Sequence, residues 1–143
     1  MTGRTQAPPV DPLTDDDYRR LLVFRDGVRR FLHWSESQAA AVGLTAAQHQ
    51  LLLAVRGHVG DRPPTIGDVA ERMLLKHHSA VELVARACAA GLLDRRPDPD
   101  DRRVVRLTLT ALGAQRLSSL SVLHLEELRR LEPGLQPLWS GVD

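Results

Sequence analysis

A single cysteine, Cys88, stands in a chain of 143 residues, so no disulfide can form within it. Aromatic residues are equally scarce, at 3% of the sequence. Leu, Val and Ala must therefore build the core, and since these fill helix–helix interfaces, a mostly helical fold follows. Long hydrophobic runs are missing too: nothing approaches the roughly 18 residues of a membrane span, so no membrane partner is expected. The N-terminal segment has no apolar stretch of the signal-peptide kind, which makes the cytoplasm the expected location. Charge of one sign is also absent. Nineteen Lys and Arg nearly balance 18 Asp and Glu, for a formal net charge of +1, so any footprint for nucleic acid has to be local.

Catalytic and metal-binding patterns are lacking as well. There is no nucleophile with an adjacent base, no Gly-rich phosphate loop and no carboxylate pair credible as acid and base, so the chain does not read as an enzyme or as the holder of a cofactor. The six histidines, His33, His49, His58, His77, His78 and His124, include no His-x-x-x-His or Cys-His spacing. His77 and His78 would point about 100° apart on a helix and chelate poorly. No metal is expected.

What is present is a series of helix starts and stops. Residues 1–13, with Pro8, Pro9 and Pro12, read as a disordered N-terminal tail, and 14–143 as a single domain. Thr14 with Asp17 forms a capping-box pattern, and Leu21, Val23, Phe24, Val28, Phe31 and Leu32 then recur at largely helical spacing. This first helix is predicted to reach Val42 and stop at Gly43. At about 1.5 Å per residue it spans roughly 40 Å, more than a domain of this size needs for its own core. Gly27 within it costs up to about 1 kcal/mol relative to Ala and can mark a bend or the close crossing of a partner helix.

Thr45 with Gln48 opens a second helix carrying Leu51, Leu52 and Val55. Thr65 with Asp68 opens a short third one, with Ile66, Val69, Ala70 and Met73 inward. After a turn over 74–77, Ala80, Leu83, Val84 and Ala87 mark one face of a fourth helix that closes at Gly91. Residues 92–95 and 104–109 read as antiparallel strands around the charged tip Pro97-Asp98-Pro99-Asp100-Asp101-Arg102-Arg103. Thr110 can cap a last helix through about Leu131, stopped by Pro133 and Gly134. The expected fold class is therefore mainly α with a small β-hairpin wing. A winged helix-turn-helix over about 44–110 is flanked by helices over about 14–42 and 110–131.

Four short motifs sit in register across that pattern: Leu44-Thr45-x-x-Gln48, Gly91-Leu92-Leu93-x-Arg95, Asp101-Arg102-Arg103 and Leu107-x-Leu109-Thr110-x-x-Gly113. In their order and spacing they resemble the multiple-antibiotic-resistance regulator (MarR) family of bacterial and archaeal winged-helix transcription regulators, over about residues 14–131. The resemblance implies an obligate homodimer whose terminal helices interlock while two winged domains grip a pseudo-palindromic operator in double-stranded DNA. It also implies that Asp101 braces the wing by pairing with an arginine.

The residues offer the DNA contacts themselves. A recognition helix enters the major groove by its N-terminal residues, here Lys76, His77, His78 and Ser79. Lys76 suits a phosphate, while Ser79 and the imidazoles reach phosphates or base edges. The alternative is that Ser79 caps the helix and His77 fills the turn. Arg86 can contact DNA and Glu82 can accept from a cytosine, or the two can form a solvated ion pair. On the wing, Arg102 or Arg103 can enter a narrow minor groove, unless the tip is merely a charged turn.

The controlling signal is less legible. Cys88 sits among small residues and reads as an inert thiol. Phe31, His33, Trp34 and His49 can line a cleft for a small lipophilic or aromatic effector, or can simply be core. The expected function is a dimeric, sequence-specific DNA-binding transcriptional regulator, a repressor released by such a ligand. The alternative is a winged-helix protein-interaction module.

Overall fold

The computed structural model describes residues 11–139, in which seven elements follow one another: α1 (Asp15–Ala41), α2 (Ala46–Arg56), α3 (Ile66–Arg72), α4 (His77–Ala89), β1 (Leu93–Pro97), β2 (Val105–Leu109) and α5 (Ala111–Trp139). Three helices begin with the reciprocal caps written into the sequence. Thr14, Thr45 and Thr65 each accept from the backbone N–H three residues on, and Asp17, Gln48 and Asp68 each accept from the cap residue's own N–H. Thr110 does the same for α5, its Oγ1 accepting from Gly113 N–H at 3.0 Å. These bonds satisfy backbone donors that a helix start leaves free, which is why the starts were readable.

β1 and β2 form one antiparallel hairpin with Leu93 opposite Leu109 and Pro97 opposite Val105. The first strand thus starts one residue later and runs two residues further than the sequence pattern predicts. The hairpin is tied to the start of α3, since Leu107 N–H donates to Pro64 O at 2.9 Å and Thr65 bridges to Arg106.

The core lies inside the winged unit and at its junction with α5. Leu51 and Leu52 of α2, Val69 of α3, Val84 of α4, Leu92, Leu107 of β2 and Leu120 of α5 are fully buried. At about 1.5–3 kcal/mol per large apolar side chain, this cluster dominates the stability of the protomer. Gly113 lets α5 approach the end of α4. A Cβ there would stand 2.1 Å from the Leu92 carbonyl oxygen, closer than any side chain allows.

One expectation is corrected. α5 does not stop at Leu131 but continues through Pro133 and Gly134 to Trp139. Proline's fixed φ suits a helix, but it removes one backbone donor and its ring crowds the carbonyl four residues back, so α5 passes the exposed Pro133 at a local cost. The tail expected over 1–13 lies outside the described residues up to position 10. Of its last three residues, Asp11 accepts from Leu13 N–H at 3.0 Å and from the Tyr18 hydroxyl.

α1 behaves differently from the rest. Of its 27 residues only Ala39 is buried, while Leu21, Leu22, Val23, Val28 and Leu32 face solvent in the protomer. Val122, Leu123, Leu125 and Leu128 of α5 are likewise exposed.

Candidate nucleic-acid interface

The site is built from the start of α4 and the tip of the hairpin. α4 begins at His77, with Lys76 as its N-cap; a lysine side chain has no acceptor with which to cap, and its exposed ammonium has no ion-pair partner among the described residues. Lys76, His77 and His78 are exposed. Ser79 is the third helical residue and half-buried, so it is not the cap that the alternative reading makes it. Glu82 and Arg86 are exposed and form no ion pair with each other among the described residues. Ala80, Val84 and Ala87 anchor the opposite face in the core. The helix therefore presents its N-terminus and one polar edge outward, with the positive end of its dipole beside Lys76.

The wing is held by an aspartate that the sequence reading did not single out. Asp98 is only 3% exposed. Its carboxylate accepts from Arg106 Nε and, at 3.4 Å, from Arg62 Nη1, while Oδ1 accepts from the backbone N–H groups of Asp100 at 2.8 Å and Asp101 at 3.0 Å. The Arg106 guanidinium beside it, with these backbone donors, holds the Asp98 carboxyl well below the usual carboxylate range. Arg62 also reaches Asp100 at 2.8 Å, and Arg106 Nη1 donates to Pro63 O at 2.7 Å. Two arginines thus fasten the hairpin turn to the loop before α3. Asp101, expected as the brace, pairs with the exposed Arg103 at 3.1 Å. It is a surface contact two residues apart, and the buried bracing falls to Asp98. Arg102 is exposed and has no ion-pair partner among the described residues, which leaves it as the free cation of the tip.

The turn between α3 and α4 holds a backbone anomaly. Leu74 has φ of 55° and is 92% exposed. In a residue with a Cβ the left-handed conformation costs about 1–2 kcal/mol.

The residues expected to line a ligand cleft are only partly brought together. Phe31 and Trp34 of α1, and His49 of α2, converge on His124 of α5. Ring centroids lie 5.9 Å, 4.8 Å and 4.8 Å from the His124 ring. His124 Nδ1 faces Leu120 O at 2.7 Å, so that nitrogen must be the donor, and Ser35 Oγ lies 2.7 Å from Nε2. Burial, and secondarily the charge of His124, lowers the pKa of His49. His33 departs from the expectation: it is exposed and does not join these rings, because one helical step of about 100° turns it away from Trp34. Burial pushes the Cys88 thiol up, as an inert thiol requires. Among the described residues no three His, Cys, Asp or Glu are grouped to hold a metal ion, and no helix is long and apolar enough to cross a membrane.

A fold of this kind, two long helices around a helix-turn-helix with a braced hairpin, defines a winged-helix protein. The MarR family model matches residues 42–104. The whole fold is similar to AbsC, a MarR family transcriptional regulator from Streptomyces coelicolor, with TM-score 0.71 and 22% identity over 90% of this chain and 95% of that one. It is also similar to MepR of S. aureus in its complex with DNA, with TM-score 0.69 and 19% identity over 86% and 85% of the two chains. The YusO protein from Bacillus subtilis gives TM-score 0.62 and 21% identity over 87% and 92%. Among the curated proteins there is no match. The family model thus covers the winged-helix unit, and the fold as a whole is similar to that of solved MarR-family regulators.

Proposed function

We propose that the protein is a dimeric, sequence-specific DNA-binding transcription regulator. The observation that carries this reading is the pairing of a free cationic helix start, Lys76 with His77 and His78, with a rigidly braced hairpin whose tip exposes Arg102. The first suits a major groove and the second a minor groove. The solvent-facing leucines and valines of α1 and α5 supply the dimer contact, since an apolar surface of this extent is unstable alone in water. In the dimer the two α4 helices stand about 34 Å apart, one turn of DNA, on a pseudo-palindromic site.

The regulatory output we propose is repression, relieved when a small lipophilic or aromatic molecule parts the Phe31, Trp34, His49 and His124 rings. Those rings join α1 and α5 to α2, so a ligand among them moves the dimer frame relative to the winged unit. The test is a gel shift with the promoter region of the protein's own gene against random duplex of equal length. Preference for the promoter, weakening steeply with salt, is expected. Equal retention of both duplexes contradicts specific recognition.

A further inference from the structure

Among the described residues three helices end in the same hydrogen-bonded turn, and one of them does so without glycine. At the end of α1, Gly43 N–H donates to Ala40 O and Leu44 N–H to Ala39 O. At the end of α4, Gly91 N–H donates to Cys88 O and Leu92 N–H to Ala87 O. At the end of α3, Leu74 N–H donates to Glu71 O and Leu75 N–H to Ala70 O. The pivot residue must adopt positive φ in each case, and does so at 77°, 75° and 55°. Glycine takes that conformation freely, whereas a leucine there brings its Cβ against the following carbonyl. Nothing among the described residues offsets this, because the Leu74 side chain is 92% exposed.

We propose that Leu74 is a DNA-contact residue that packs its side chain on the apolar face of a deoxyribose at the rim of the major groove. The proposal rests on the DNA-binding reading above. Leu75 turns inward and is half-buried, so Leu74 and Lys76 on either side of it both face outward at the mouth of α4. A backbone that alternates phosphate with sugar matches that alternation of cation and leucine. A protein-docking surface would need a contiguous apolar patch, yet Lys76, His77 and His78 are the exposed residues that follow.

The test uses Leu74→Gly and Leu74→Asn in the full chain, with a duplex selected from a random pool by the wild-type protein and an unselected duplex as probes. Both variants fit the left-handed turn, so thermal unfolding is expected to shift upward by about 4 °C. Affinity is expected to fall about fivefold on both duplexes, as for partial loss of one buried leucine, with the salt slope unchanged. Lys76→Ala, by contrast, lowers the slope by about one. Unchanged affinity in both variants overturns the contact, and a loss confined to the selected duplex overturns the sugar assignment in favour of base reading. If the wild-type protein binds neither duplex, the DNA-binding reading fails together with this one.

Discussion

The winged unit buries its apolar residues within the protomer, whereas the helix that leads into it leaves most of its own in water. Leu51, Leu52, Val69, Val84 and Leu107 are fully buried, while Leu21 and Leu22 of α1 remain 57% and 60% exposed. Both regions are helical and both are capped by a threonine with its reciprocal partner. Local signals therefore do not separate them. The difference is where the hydrophobic effect is collected: the winged unit collects it inside one chain, and in the proposed dimer the long helices collect it between chains.

Substitutions should divide along that line. Gly113→Val strikes the winged unit where α5 meets the Leu92 carbonyl, and about 3 kcal/mol or more of unfolding free energy should be lost in urea titrations. The pair Leu22→Glu and Leu32→Glu should leave the circular dichroism of the winged unit intact while converting dimer to monomer in size-exclusion chromatography with light scattering. Loss of helical signal throughout would show instead that α1 belongs to the protomer core. Arg102→Ala should weaken DNA binding by about 1–3 kcal/mol in a titration by fluorescence anisotropy. Arg103→Ala should cost less, because Asp101 already holds that guanidinium. The smallest effect expected is acid sensitivity at the junction of the two regions. Burial and His124 lower the pKa of His49 from its ordinary 6.5, so the unfolded chain binds that proton more readily. Stability should therefore fall as pH drops below about 6.5, and His49→Phe should flatten that part of the urea-midpoint profile.

How far the sequence could be read follows the same division. Caps at Thr14, Thr45 and Thr65, the short α3 and the glycine stops at 43 and 91 are encoded within a few residues, and each is formed as written. The bracing aspartate was hidden, because Asp94, Asp98, Asp100 and Asp101 look alike along the chain. Only the hairpin register and the distant Arg62 and Arg106 distinguish Asp98. His124 was hidden for the same reason, since Ser35 lies 89 positions away. Pro133 misled in the other direction: a proline read as a stop is passed by a helix that bears the missing hydrogen bond and the crowding of its ring. Leu74 could have been noticed as a leucine standing where two neighbouring turns use glycine, but only after the turns themselves were placed.

The central claim is that the apolar faces of α1 and α5 close on a second copy and so set the spacing of two winged units. Sedimentation equilibrium of the free protein at micromolar concentration tests it most directly. The account predicts a particle of twice the 15.8 kDa chain mass. A folded monomer of 15.8 kDa at that concentration would contradict it.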